Sequence, residues 1–253
     1  MQADRHRVAE GRPSHERRQN GREVVGQHDL RSGTRNGALI AWSTVALISA
    51  VAFGLLLRSV LAHSGLTLVD TSVTNWVAGH RSSWLTAVMQ LVTWLGSSFF
   101  IIPVGIAVGG FLRIHRRAWR PLVMMAAAFG GAAGLYDIVK PAVGRARPPA
   151  TLQVGGPDTG WAFTSGHATQ SIAFYGMLAI VLIAWYAPNR RLPVALGAAL
   201  VTLVVGASRL YLGVHWLTDV LGGYALGLAW LSLVMVISIQ VKAGRDTTLS
   251  LVP

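Results

Sequence analysis

The sequence predicts an all-α integral membrane protein built as a six-transmembrane-helix bundle. Of its 253 residues, 52% are hydrophobic, the mean hydropathy is +0.48 and only 13% are charged. Soluble globular domains carry roughly a quarter charged residues. The charged residues are also distributed unevenly along the chain, because the first 37 residues alone hold eight Arg and five Asp or Glu. The remaining chain is so poor in charge that lipid is the solvent in which we expect it to fold.

Six apolar stretches approach or reach the length of about 20 residues that a helix needs to cross a bilayer. Residues 84–112 form an uncharged run of 29 residues, which is too many for one straight span. We expect Gly96-Ser97-Ser98 to divide it into a shorter helix and a span. The six predicted spans cover residues 38–57, 97–112, 122–136, 168–187, 192–208 and 220–241, and the third is extended by Trp119 before it and by residues 138–139 after it.

The placement of Lys and Arg predicts the orientation of these spans. Sixteen of the 22 basic residues lie in the first tail, the 113–120 and 188–191 connections and the end of the chain. Because cytoplasmic segments are enriched in Lys and Arg, both termini are predicted to be cytoplasmic in a multi-pass plasma (inner) membrane protein. The predicted division is an Arg-rich disordered cytoplasmic tail over 1–37, a membrane domain over 38–241 and a short cytoplasmic tail over 242–253.

The charge and the cysteine count exclude several classes of function. The net charge is +12, but no folded recognition motif accompanies it, so we expect the tail to lie near anionic lipid and not to bind nucleic acid. The chain has no cysteine, which excludes disulfides, zinc–thiolate sites, iron–sulfur clusters and thiol nucleophiles. Gly105/Gly109 and Gly130/Gly134 have the small-xxx-small spacing that is typical of close helix packing.

Four cations are predicted on the opposite, extracytoplasmic side, where Lys and Arg are disfavoured. Their presence there indicates a function. Three lie in KPAVGRARPP, residues 140–149, and one lies in SRLYLGVHWLTD, residues 208–219. Between them WAFTSGHATQ, residues 161–170, opens the fourth span. Under the predicted topology all three segments meet at one membrane face. Cations, histidines and an aspartate are costly at a membrane edge, but they suit a phosphate ligand.

Each residue type has a place in phosphoryl transfer, in which charge is spread over the non-bridging oxygens. Arg147 and Arg209 can supply planar pairs of donors, and Lys140 a point charge. Ser165 is a candidate N-cap, and the first-turn N–H groups behind it form an anion site. Gly166 allows the backbone to come close to the ligand.

Two histidines and one aspartate are candidates for the chemistry itself. His215 and Asp219 are four residues apart and share one helix face, so the carboxylate can hold one imidazole nitrogen protonated while the other attacks phosphorus. His167 begins a helix and is placed to protonate a leaving oxygen. The pair could instead be structural or hold a metal, but no cysteine and no third clustered carboxylate supports a metal site. Arg145 is expected at the rim, and Asp70 has no assignable role.

The three segments resemble the signature of the type 2 phosphatidic acid phosphatase superfamily of integral-membrane lipid phosphatases. That family's first motif, Lys, six residues and Arg-Pro, matches residues 140–148. Its third motif, Ser-Arg, five residues, His, three residues and Asp, matches 208–219 in full. The second motif is Pro-Ser-Gly-His, and here Thr164 replaces the proline. A modest loss of turn rigidity is expected from this replacement, without loss of activity.

The resemblance implies a role for each matched residue. His215 would form a phosphohistidine, Asp219 would orient it and His167 would be the general acid. The phosphoryl oxygens would be bound by Lys140, Arg147, Ser165, Gly166 and Arg209. The family needs no metal and no other cofactor.

The predicted function is therefore metal-independent hydrolysis of a lipid phosphomonoester or diphosphate at the extracytoplasmic end of the bundle. Polyprenyl diphosphate, phosphatidic acid and phosphatidylglycerophosphate remain open as substrates, with a slight preference for the first, and so does phosphotransfer to another acceptor. The alternative is a transporter or flippase of phosphorylated lipids that uses the same basic site for binding only. The expected partners are the lipid phosphate and the bilayer, and the sequence does not indicate the oligomeric state.

Overall fold

The computed structural model describes the backbone of residues 14–250 and the side chains of residues 33–242, and this part is helical without strands. Internal contacts divide the chain into two compact units, Met1–Ala41 and Trp42–Pro253. Short 3-10 helices cover Gly65–Val69, Ala150–Leu152 and Pro188–Arg190. The α-helices are α1 Ser14–Leu61, α2 Asp70–Gly79, α3 Ser83–Trp94, α4 Ser98–Arg116, α5 Arg120–Val143, α6 Gly166–Trp185, α7 Arg191–Tyr211 and α8 Leu217–Ser250.

Six helical segments of the described residues are long and apolar enough to cross a membrane, which confirms the predicted fold class. They are Gly33–Leu61, Ser98–Arg116, Arg120–Val143, Gly166–Trp185, Pro188–Tyr211 and Leu217–Lys242. The long apolar run is divided as predicted, because α3 ends at Trp94 and α4 begins at Ser98. Helices α2 and α3 lie in the connection between the first two spans.

The first helix differs from the disordered tail expected over residues 1–37. Its backbone is helical from Ser14 onwards, since elongating a helix from an existing span costs little once the span has nucleated it. Residues 1–13 lie outside the described residues. The cytoplasmic placement of both tails stays a prediction.

Three other helices also continue past the apolar runs from which they were predicted. Lys140 lies in the last turn of α5, Arg209 in the last turn of α7 and Asp219 in the first turn of α8. A charged residue lowers the hydropathy, but it does not interrupt the backbone hydrogen bonds of a helix. These three residues of the predicted site are therefore fixed to helix ends.

Helix α6 is the centre of the second unit, where it packs against α5, α7 and α8. Its contact with α8 is close because two glycines of α8 face it. A Cβ at Gly223 would lie 2.8 Å from the Ser165 oxygen, and one at Gly227 would lie 2.5 Å from the Thr169 oxygen. These glycines let α8 lie directly against the beginning of α6, in the manner of close helix pairs in membranes.

Three connections meet at one end of the second unit. The Nε of Arg81, which precedes α3, donates to the Tyr211 oxygen at 2.8 Å. The backbone N–H of Val154, between α5 and α6, donates to the Leu212 oxygen at 2.9 Å. The connections after the first, third and fifth spans thus share one end, as the even alternation of crossings predicts.

Candidate active site

The beginning of α6 forms one wall of the site. Ser165 is its N-cap, with a fully buried side chain whose Oγ accepts from the Ala168 N–H at 3.5 Å. The Ser165 N–H donates to the Asp219 backbone oxygen at 3.1 Å, which ties this turn to α8. Gly166 lies against the Tyr136 ring, where a Cβ would be 3.3 Å from two ring carbons. The first turn is thereby held with its N–H groups at the helix end, where anions bind.

His215 stands just before α8, between a carboxylate and a guanidinium. Its side chain is 2% exposed, and Nδ1 lies 3.4 Å from Asp219 Oδ2. Its Nε2 lies 3.2 Å from Arg147 Nη1. Because a guanidinium nitrogen can only donate, Nε2 is the acceptor and the ring proton belongs on Nδ1. Asp219 Oδ2 also accepts from the Trp216 N–H at 2.9 Å, which fixes the carboxylate beneath the ring.

The surroundings keep this imidazole neutral. Burial lowers the pKa of His215 well below its ordinary value, and the positive charges of Arg209, Arg147 and Lys140 lower it further. A neutral imidazole with its proton on Nδ1 has a lone pair on Nε2. This geometry is compatible with the nucleophile that the sequence predicts at this position, and the role stays a prediction.

The two arginines of the predicted phosphate site converge on a single oxygen. Asp158 Oδ2 lies 2.8 Å from Arg209 Nη2 and 3.1 Å from Arg147 Nη1. Arg147 also donates to the backbone oxygens of Val214 at 2.7 Å and Gly160 at 3.1 Å. The pair of guanidinium groups is thus fixed in a geometry that binds one oxyanion between them.

Lys140 and His167 complete the set of predicted residues. The Nζ of Lys140 lies 5.4 Å from the centre of the Tyr136 ring, the same ring that faces Gly166. His167 packs against the turn between α3 and α4, where a Cβ at Gly96 would be 3.1 Å from its Cδ2. The charges of Arg209, Arg147 and Lys140 act on both histidines. The structure brings together all eight residues predicted for the site.

Asp158 is a site residue that sequence reasoning missed. It lies in the loop between α5 and α6, and its backbone N–H donates to Gln153 Oε1 at 2.8 Å. Between residues 138 and 165 it is the sole acidic residue. A count of charges by connection would have singled it out, because a lone acid among cations at one membrane face indicates a counter-ion.

Arg145 and Asp70 correct two further expectations. Arg145 is not a rim residue, since its side chain is only 15% exposed and lies between two carboxylates. Its Nη1 is 2.5 Å from Asp219 Oδ1, and its Nη2 is 2.6 Å from Asp70 Oδ2. Asp70, for which the sequence indicated no role, is buried in this network. No local spacing reveals the contact, because the two partners of Arg145 are 75 and 74 residues away along the chain.

The donor groups suit an anion and not a metal ion. Within the described residues, no group of three or more His, Asp or Glu side chains is arranged to hold a metal. The side chains that converge on the Asp158 carboxylate are cationic donors. The independence from metals expected from the sequence stays a prediction.

The sequence of this chain is similar to that of known proteins. The family model of the PAP2 superfamily matches residues 117–242. Phosphatidylglycerophosphatase B of Bacillus subtilis (strain 168) is 30% identical over 201 residues, which cover 79% of this chain and 98% of that protein.

Solved structures agree with the sequence comparison. The crystal structure of a transmembrane PAP2 type phosphatidylglycerolphosphate phosphatase from Bacillus subtilis matches with a TM-score of 0.71 and 27% identity, covering 82% of this chain and 98% of that one. Aquifex aeolicus LpxE has a similar fold, with a TM-score of 0.50 and 20% identity over 68% of this chain and 95% of that one.

Proposed function

The chain belongs to the PAP2 superfamily and is a membrane-bound phosphoric ester hydrolase, and from this premise we propose that it dephosphorylates a lipid of the phosphatidylglycerophosphate class. The phosphoryl group would pass through a covalent phosphohistidine on His215. The hydrolysis would take place at the extracytoplasmic end of the bundle, where the connections after the first, third and fifth spans meet.

The observation that carries the proposal is the shared oxygen of Asp158. Two guanidinium groups that bind one carboxylate oxygen at 2.8 and 3.1 Å can bind a phosphoryl oxygen at the same place. The nitrogen of Arg147 that makes this contact also lies 3.2 Å from His215 Nε2. An oxyanion held by the two arginines would therefore lie close to the nucleophile.

The first chemical step follows from the state of the imidazole. The Nε2 lone pair of His215 would attack phosphorus in line with the lipid oxygen, forming the N–P bond as the O–P bond breaks. Asp219 would stabilise the positive charge that develops on the ring through Nδ1–H. Arg147, Arg209 and Lys140, with the first-turn N–H groups of α6, would stabilise the charge on the transferring oxygens.

The second histidine, His167, would act first as the general acid and then as the general base. Once the negative charge of the bound phosphoryl group offsets the surrounding cations, His167 would carry the proton that it gives to the departing lipid oxygen, and it would then accept one from the water that attacks the phosphohistidine. That water would release inorganic phosphate and return His215 to its neutral form. Atoms and charges balance without an oxidant, a reductant or a metal-bound water.

One observation supports this substrate class, and a second supports a substrate with a lipid chain. The Bacillus subtilis relative that the chain matches over 98% of its length is a phosphatidylglycerophosphatase. An apolar cavity of about 190 Å³ also lies between α4, α5 and α6, with Ile101, Met125 and Phe174 among its lining residues. Phe174 is seven residues from His167, or about 10 Å along α6. An acyl chain reaching down from a headgroup at the helix end would come to this depth.

Phosphate release by the purified protein tests the proposal. In detergent micelles with EDTA, we expect it to release inorganic phosphate from phosphatidylglycerophosphate faster than from a polyprenyl diphosphate. His215→Gln should reduce the rate to background, whereas His115→Gln, at the opposite end of the molecule, should keep it. Quenching labelled substrate during turnover should trap an acid-labile, base-stable phosphoprotein.

The outcomes also separate the alternatives. Faster release from polyprenyl diphosphate would overturn the substrate class and leave the mechanism standing. Release that survives His215→Gln would overturn the nucleophile, and release abolished by EDTA would overturn metal independence. Movement of labelled lipid phosphate across vesicles, with no phosphate released from any substrate, would favour the transporter.

A further inference from the structure

Asp70 is a buried carboxylate that accepts three hydrogen bonds from two residues and takes no part in the proposed chemical steps. It is the first residue of α2 and 2% exposed. Its Oδ2 accepts from Arg145 Nη2 at 2.6 Å and from Thr218 Oγ1 at 2.6 Å, and its Oδ1 accepts from the Thr218 N–H at 3.0 Å. It precedes the segment 117–242 that the family model matches.

The partners of Asp70 lead directly to the proposed nucleophile. Arg145 reaches Asp70 with one terminal nitrogen and Asp219 Oδ1 with the other, at 2.6 and 2.5 Å. The second oxygen of Asp219 lies 3.4 Å from His215 Nδ1. Asp70, Arg145, Asp219 and His215 therefore form one continuous line of charged and hydrogen-bonded groups, drawn from three distant parts of the chain.

Asp70 also caps the helix that carries Asp219. Thr218 is the second residue of α8, and its N–H is one of the four that a helix leaves without a partner in its own backbone. A carboxylate on this N–H satisfies the donor and interacts favourably with the positive end of the helix dipole. Asp70 thus holds the first turn of α8 at the same time as it holds Arg145.

Burial makes this arrangement sensitive to Asp70. A buried guanidinium is stable only while its donors are paired, and removal of one partner leaves an uncompensated group. Without Asp70, the Nη2 of Arg145 loses its acceptor, and the guanidinium is held only by the contacts of Nη1 with Asp219 Oδ1 and Thr218 Oγ1. The Asp219 carboxylate would keep its hydrogen bond from the Trp216 N–H, but with Arg145 held less firmly its Oδ2 would be aligned less exactly with the imidazole.

We propose that Asp70 is a positioning residue for the nucleophile, which acts through Arg145 and the first turn of α8 to keep Asp219 aligned with His215. The inference rests on the proposed role of His215 as phosphoryl acceptor. It assigns Asp70 no contact with the substrate, so its loss should affect the chemical step and leave substrate binding nearly intact.

Steady-state kinetics of Asp70→Asn test this assignment. We expect kcat to fall about tenfold to a hundredfold, by analogy with the loss of groups that orient the ligands of a metal site, while KM stays within about twofold. Thr74→Val, which changes another buried polar residue of α2, should keep kcat near wild type. An equal fall in both variants, or a rise in KM with kcat unchanged, would overturn the proposal.

A double-mutant cycle tests the route of the effect. If Asp70 acts through Arg145, adding Asp70→Asn to Arg145→Gln should reduce kcat far less than it does in the wild type. Fully additive losses would show that Asp70 acts elsewhere. Comparable unfolding of the folded variants in detergent would show that the loss of kcat is not a loss of folded protein.

The tautomer of His215 gives a readout that does not depend on turnover. In ¹⁵N-histidine NMR spectra, with His215→Gln to assign the signal, the wild type should carry the proton on Nδ1 and Asp70→Asn should mix the two tautomers. An unchanged tautomer together with unchanged kcat would overturn the inference while phosphate release by the wild type still supports the proposed function. A wild type that releases no phosphate from any substrate would overturn the function, and the NMR comparison would still decide the role of Asp70.

Discussion

Replacing Asp158 by Asn should make the protein bind phosphate-like anions more tightly. The carboxylate lies between Arg147 and Arg209, where a phosphoryl oxygen is proposed to bind, so the two compete for the same guanidinium groups. The Asn side chain has the same size and lacks the charge. The loop should keep its position, because Gln153 accepts from the backbone N–H of residue 158 and not from its side chain.

The size of the effect follows from the exposure of the three groups. The Asp158 side chain is 35% exposed, whereas those of Arg147 and Arg209 are 8% and 9% exposed. A fully exposed ion pair contributes about 1 kcal/mol or less, and about 4 kcal/mol is the Coulomb energy of one pair at 4 Å and an effective dielectric constant of 20. Because the Asp158 side chain is about one third exposed, we expect its ion pair with each arginine to contribute close to the lower of these two energies. Removal of the competitor should gain about 1.4 kcal/mol, or roughly tenfold in affinity.

Inhibition constants measure this gain directly. Orthovanadate and inorganic phosphate should compete with a lipid phosphate in detergent, and both constants should fall roughly tenfold in Asp158→Asn. Asp137→Asn is the matched control, because it removes an exposed carboxylate whose charge acts on Lys140. Its inhibition constants should change much less. Unchanged or higher constants in Asp158→Asn would refute the reasoning and show that the carboxylate assists anion binding.

Three further predictions concern packing, protonation and topology. Gly227→Ala should cost about 1–3 kcal/mol of stability and lower kcat, because its Cβ would lie 2.5 Å from a backbone oxygen of α6. Gly134→Ala, with nothing within 4 Å, should have little effect, and equal unfolding curves for the two would contradict this. Because the pKa of His215 is lowered in the folded state, this residue does not reduce the free energy of unfolding above about pH 6.5. Below that pH the imidazole takes up a proton in the unfolded state and not in the folded state. The free energy of unfolding should therefore fall by up to about 1.4 kcal/mol per pH unit more in the wild type than in His215→Gln, and identical pH dependences would show that this imidazole is not held neutral. Because the chain has no cysteine, Ser64→Cys should react with an impermeant maleimide on intact cells and Asn189→Cys should not, and the reverse pattern would invert the topology.

The membrane spans could be predicted from the sequence because the lipid bilayer selects the same apolar pattern in every span. Lipid requires long uncharged runs, and the break at Gly96-Ser97-Ser98 could be recognised within a run too long to span. The ends of the helices were less predictable. Lys140 and Arg209 belong to helices although hydropathy excludes them, since a long cationic side chain can reach the interface while its backbone stays in the helix.

Helix packing depends on which face of a helix a residue occupies, and spacing alone does not give this. Gly130 and Gly134 have the spacing of a packing motif, but nothing lies within 4 Å of a Cβ built on either. Gly223 and Gly227 have the same spacing and do face a neighbouring backbone. The two pairs differ in the partner that the fold places opposite them, and that partner is far away in the sequence.

The arginines of the site illustrate the same limit and suggest how to overcome it. Arg145 and Arg147 are two residues apart in one segment, and as residue types they are the same. Arg145 lies between two carboxylates, both nearly inaccessible to solvent, so any incoming anion would have to displace a buried partner at high cost. Arg147 and Arg209 share one carboxylate that solvent reaches, so exchange for a phosphoryl oxygen costs little. The number and the exposure of the carboxylates on each guanidinium therefore distinguish the arginine proposed to support the nucleophile from the arginines proposed to bind the substrate.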